Sequence, residues 1–214
     1  MTFVTVVIVN SCSPANVGMC GVRCGIYKGE KSVRSSVQSD HATHSYTIQP
    51  VTSASGYVFP KMLVIYQEPG GRFGVRVVQH MLKPQNLIQV ASKSGLITKQ
   101  ILTQFFQDVY FPYAAKESLL LVDSLGTYRD RTHIDAIRPQ NMVYTVKTIP
   151  PGCTPYIQPL DVLFFRQFKA VLKRIEDHSI LNDYQFTPSS RDSISLLISS
   201  VLQSSQTLFG TPGL

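Results

Sequence analysis

The sequence predicts an α/β fold: a mixed sheet with antiparallel strands first, then alternating helices and strands, flanked by helices. Three observations lead there. Blocks 43–50 and 58–67 read as strands separated by a turn, the pattern of an antiparallel pair. From Thr98 the period changes, and apolar residues fall at Ile101, Leu102, Phe105, Phe106 and Val109, which is helical spacing. Ser118 to Asp123 is then a continuous apolar run ending in an acid, as in a strand covered on both faces.

Each element has its own reason. Residues 1–10, MTFVTVVIVN, read either as a strand or as the apolar core of a signal peptide. The β-branched composition and the lack of Lys or Arg before Arg23 favour the strand. THSYTIQP at 43–50 alternates bulky and polar residues, and Ser53 to Gly56 makes a turn. VFPKMLVIYQ at 58–67 is the next strand, with Pro60 near its start or at an edge. Glu68-Pro69-Gly70-Gly71 breaks it, and 86–91 forms another short strand. Thr98 is placed to cap the first long helix.

Arg131 to Gln140 is a weak helix, and Met142 to Thr148 is a strand closed by Ile149-Pro150-Pro151-Gly152. The longest helix is expected over 161–177. Its apolar face is Phe164, Phe165, Phe168, Val171, Leu172 and Ile175, and Arg166, Lys169, Lys173 and Arg174 lie on the other side. A last helix, 190–203, carries Ile194, Leu197, Ile198 and Val201.

Composition sets the limits. The chain has 214 residues, 43% hydrophobic and 15% charged. That supplies one real core and excludes a chain disordered by composition. No apolar run reaches the roughly 18 residues a membrane span needs, so no membrane association is expected. Lys and Arg outnumber Asp and Glu by 20 to 13, and the resulting charge of +7 favours an anionic partner. Cys12, Cys20, Cys24 and Cys153 lack the paired spacing of a zinc site and read as free thiols.

Two acids occupy special places. Asp123 ends a buried strand, and Asp161 follows a Pro-rich loop and opens the long helix. A helix and a strand lie between them, enough chain to return to the same edge of the sheet. Ligands in α/β sheets gather at the carboxyl ends of strands. Two carboxylates meeting there attract hard divalent cations such as Mg²⁺. The plainer readings stay open: Asp161 as an N-cap and Asp123 as a turn former. Other features are weaker. His41 and His44 read as structural. Gly70-Gly71-Arg72-Phe73-Gly74 lacks the phosphate-loop pattern and reads as a turn. Ser124 is not in a nucleophile elbow. The basic row on the long helix is either a solvated face or a set of phosphate contacts.

The segment Ile149-Pro-Pro-Gly-Cys-Thr-Pro-Tyr-Ile-Gln-Pro-Leu-Asp161 resembles the PPGTTSxxQPLD signature of the DDE superfamily endonuclease domain, found in mariner/pogo-type (Tigger-like) transposases. Cys153 stands where Thr is usual. Phe168-Lys169 resembles the continuation into a helix, and Leu119 to Asp123 resembles the strand carrying the second acid. Leu125-Gly126-Thr127-Tyr128 departs from the family. The resemblance covers residues 29–180. It implies an RNase H-like sheet and Mg²⁺ or Mn²⁺ held by three acids, with Asp123 second and Asp161 third. It also implies DNA as partner, touched by Arg166, Lys169, Lys173 and Arg174, and a nuclear location; a homodimer is a further expectation.

The first acid is not found; Val9-Asn10-Ser11-Cys12 stands at about its place, and Asn10 is neutral. The domains expected are a divergent segment 1–28, the DDE-type domain 29–180, and a C-terminal helix with a frayed tail, 181–214. The function expected is a transposase-derived DNA-binding domain with impaired metal-dependent cleavage. A non-catalytic nucleic-acid-binding module and a non-functional remnant are the alternatives.

Overall fold

The computed structural model describes residues 5–9, 46–122, 126–128, 132–150, 165–182 and 190–209. It is a mixed α/β structure whose described strands form a four-stranded and a three-stranded sheet. A single mixed sheet was expected, and Pro50 accounts for the difference. β2 (Tyr46–Gln49) pairs antiparallel with β4 (Met62–Gln67), while β3 (Val51–Thr52) pairs antiparallel with β1 (Thr5–Val9). Proline has no N–H to give a ladder, so pairing stops there and the chain passes from one sheet to the other.

The remaining strands are parallel additions. β5 (Leu87–Ser92) runs beside β4. β6 (Glu117–Val122) runs beside β1, and β7 (Val143–Thr148) beside β6. The strand expected at 58–67 begins only at Met62, because Val58 is an isolated bridge to Thr52 and Pro60 precedes the ladder.

Two cores lie on opposite faces of this layer. Alternation along β4 shows it directly: Leu63 and Ile65 enter one core, and Met62, Val64 and Tyr66 enter the other. β6 does the same, with Leu120 and Val122 on the first side and Leu121 against the second. The first core is closed by α2 (Lys99–Phe105) and a wider π-helical turn, Phe106–Tyr110. Thr98 caps α2 as its sequence requires, its side chain accepting from the N–H of Ile101. Such a cap contributes about 1 kcal/mol.

The second core is closed by α4 (Arg166–Leu181) and α5 (Arg191–Phe209). Both helices run past their expected ends, by four and six residues. Phe165, just before α4, and Phe168 on it are buried, but Val171 is 38% exposed, because it flanks the stripe that Phe168 and Ile175 define. Phe164 and Leu172 lie outside the described side chains.

One short helix was not expected, and one expected helix is shorter than its sequence suggested. α1 (Val75–His80) buries none of its residues. The weak helix expected over 131–140 is a single helical turn, α3 (Thr132–Asp135), followed by turns up to residue 141. The serines of the last helix are structural: Ser195 accepts from the Gln89 amide, shares a 2.7 Å hydrogen bond with Tyr66 and donates to the Arg191 carbonyl. Glu68 takes Arg191 at the end of β4. No described helix is long and apolar enough to cross a membrane.

Tyr110 gives a pH prediction. Its ring is fully buried and its hydroxyl meets Ser118 at 2.7 Å. Burial pushes its phenol up to about 12, with the Ser118 hydrogen bond pulling the other way. Burial also raises Tyr66 and Tyr57. A folded pKa above the ordinary value of 10 means the unfolded chain loses the proton first. Stability is therefore full below pH 10 and falls as pH rises toward 12. Urea midpoints across this window check it, and Tyr110→Phe is expected to flatten the decline.

Candidate metal and nucleic-acid site

Register gathers three chain segments at one end of the four-stranded sheet. Val9 pairs with Val122, and Val122 pairs with Thr148, so the carboxyl ends of β1, β6 and β7 are level. Ile149 donates its N–H to the Val122 carbonyl and extends the match by one residue. In sequence, Asn10 follows Val9, Asp123 follows Val122, and the loop leading to Asp161 follows Ile149. Asn10, Asp123 and Asp161 themselves lie outside the described residues, as do His41, His44, Cys12, Cys20, Cys24 and Cys153.

β3 is antiparallel to β1, and Val51 faces Val9. Gln49 therefore comes to the same end of the sheet, just beyond β1. It is 1% exposed, and its amide nitrogen donates to the hydroxyl of Tyr128. Tyr128 sits on the short turn Gly126–Tyr128, five residues after Asp123 in sequence. The other amide atom, Gln49 Oε1, is buried and has no partner among the described residues. A buried oxygen of this kind normally finds a donor or a cation. No sequence signal singled out Gln49 or Tyr128: each is one polar side chain in an ordinary strand or turn.

The described side chains contain no group of three or more His, Cys, Asp or Glu that would hold a metal. Of the expected basic row, Arg166, Lys169, Lys173 and Arg174 all belong to α4. Lys169 is half-buried and Arg174 exposed; the side chains of Arg166 and Lys173 lie outside the described set. Phe168 on that helix and Phe165 just before it are buried in the second core.

A family model described as DDE superfamily endonuclease matches residues 61–197. That span takes in β4, β6, β7, α4 and both candidate acids. No curated protein and no solved structure matches the chain.

Proposed function

Because the chain belongs to the DDE superfamily endonucleases, we propose that it is a transposase-derived, DNA-binding domain of the mariner/pogo branch whose metal-dependent cleavage is impaired. The observation that carries this reading is the level end of β1, β6 and β7, from which Asp123 and the loop to Asp161 follow in sequence. The strand order supports an RNase H-like sheet. Through the break at Pro50 it runs β5, β4, β2 with β3, β1, β6, β7. The early pairs of β1 with β3 and of β2 with β4 are antiparallel, and β6 and β7 then run parallel to β1.

The family typically uses divalent metals, and the donor chemistry at this end suits Mg²⁺ or Mn²⁺. Asp123 and Asp161 would supply hard carboxylate oxygens, and Gln49 Oε1 is a neutral oxygen donor with no partner among the described residues. When bound, the metal stabilises charge on the oxygens of a phosphodiester in displacement. Arg166, Lys169, Lys173 and Arg174 would hold the backbone phosphates. Two carboxylates balance one divalent ion, so the neutral Asn10 leaves a second ion undercompensated. This is the origin of the impairment, and the same observation favours a non-catalytic nucleic-acid-binding module as the second reading.

Titration calorimetry with Mn²⁺, on this chain and on Asp123→Asn, tests the assignment. Saturable binding in the parent, lost in the variant, is the expected result. Equal binding in both removes Asp123 from the site. No binding in either overturns the metal reading and leaves the non-catalytic module.

A further inference from the structure

We propose that α1 and the edge strand β5 carry a second phosphate-contacting surface for duplex DNA, formed by Arg72, Arg76, Lys83 and Lys93. The inference rests on the nucleic-acid reading above but uses different elements from the α4 row.

The sequence gives the first reason. Between Glu68 and Asp108 there is no acidic residue, and the stretch carries five Lys or Arg: Arg72, Arg76, Lys83, Lys93 and Lys99. Most of the surplus of +7 is thus concentrated there. A surface evolved only for solubility intersperses both signs. All five residues are exposed. Among the described residues, Arg72, Arg76, Lys83 and Lys93 form no ion pair. Two acids beside this stretch have other partners. Glu68 takes Arg191, and Asp192 Oδ1 accepts the N–H of Leu82 at 2.8 Å.

Geometry gives the second. Gly71 adopts φ +67, and a Cβ built on it would lie 3.6 Å from the Lys93 nitrogen. The two loops that carry Arg72 and Lys93 therefore abut at the carboxyl end of β4 and β5. Lys83 lies toward the opposite end of β5, lining a cleft of about 280 Å³ with Phe73, Val78, Met81 and Leu87. Arg76 is on α1, between the two ends in sequence. A six-residue strand such as β5 spans roughly 20 Å at about 3.3 Å per residue. That is a little over half a turn of duplex.

α1 gives the third. It buries none of its residues, and Val75 is 75% exposed. With no side chain committed to a core, α1 leaves Arg76 free to face a partner, and the N–H of Leu82, two residues after the helix, is held by Asp192. Exposed cations without an ion pair among the described residues, on a stretch of chain that carries no acid, complement a phosphate backbone, and binding there gains from counterion release.

Anisotropy with a labelled non-specific duplex, between about 50 and 200 mM salt, tests this. Three proteins are compared: the parent, a quadruple variant (Arg72→Ala, Arg76→Ala, Lys83→Ala, Lys93→Ala), and Lys169→Ala/Arg174→Ala. The expected result for the quadruple variant is a salt slope shallower by about 3 to 4, near 0.9 per lost contact. Its affinity at low salt should fall on the order of a hundredfold or more. The swap Arg72→Lys, Arg76→Lys, Lys83→Arg, Lys93→Arg should keep the slope, which separates charge from folding.

An unchanged slope in the quadruple variant, with a loss in the α4 variant, overturns this surface and leaves the nucleic-acid reading intact. A parent that does not bind duplex overturns both. Polyglutamate binding as tightly as duplex shows a polyanion or protein-docking surface and overturns the commitment to DNA.

Discussion

Truncating Phe106 to alanine is expected to lower the unfolding free energy by about 3–5 kcal/mol. Phe106 is fully buried and opens the π-helical turn that closes the first core. Its ring centroid lies 5.5 Å from Phe105, 5.2 Å from Tyr110, 5.4 Å from Phe111 and 5.9 Å from Tyr144. The wide turn makes this possible: the N–H of Phe111 reaches back to the Phe106 carbonyl at 2.8 Å. Tyr144 brings β7 into the same cluster, so one ring joins helix and sheet. The alanine variant loses the transfer energy of the ring and leaves a cavity among rigid aromatics that collapse poorly. Native stability is typically about 5–15 kcal/mol, so the loss is a large share of the whole. Urea denaturation measures it. Leu96→Ala, at a side chain 54% exposed, should stay within about 0.5 kcal/mol. A Phe106→Ala cost below about 1 kcal/mol would mean that this helix does not pack on the sheet as described.

The same residues mark where the sequence was legible. Thr98 and the apolar positions after it announced a capped helix, and the structure holds one with Ile101, Leu102 and Phe105 buried. Periodicity did not reveal the widening at Phe106, because one extra residue per turn leaves an apolar-rich stretch looking helical. The run at 118–123 read as a covered strand, and Leu120 and Val122 of β6 are buried; 142–148 is also a strand, but at the edge of the sheet, where β7 is largely exposed. The division of the sheet was hidden in a single residue, Pro50, which also reads as the end of a strand. α1 was hidden because its residues answer to no core pattern: with nothing buried, there is no stripe to read. The proposed acids, Asp123 and Asp161, were singled out by one motif and two element boundaries, and both lie outside the described residues. Gln49 was not singled out, since what sets it apart is a buried Oε1 with no partner among the described residues, which only the packing of β2 against the turn at Tyr128 discloses.

Replacing Asn10 by Asp is expected to tighten Mn²⁺ binding at least about tenfold, worth about 1.4 kcal/mol, and to raise DNA nicking above background. The register supplies the reason. Val9 and Val122 end two neighbouring parallel strands side by side, and the sequence continues with Asn10 after one and Asp123 after the other. An amide oxygen is a neutral ligand; a carboxylate adds a full charge, and affinity for hard cations follows the ligand charge count. A third carboxylate also supplies the charge that a second ion needs, which two cannot.

Calorimetry gives the affinity and a supercoiled-plasmid assay the nicking. Asn141→Asp is the control: it adds the same charge just before β7, at the opposite end of the parallel strands, and should change the affinity by less than about twofold. Equal gains in both variants would make the effect one of net charge alone. No gain from Asn10→Asp would place the lost acid elsewhere in the chain, and β1 would then be a strand of the sheet that takes no part in its chemistry.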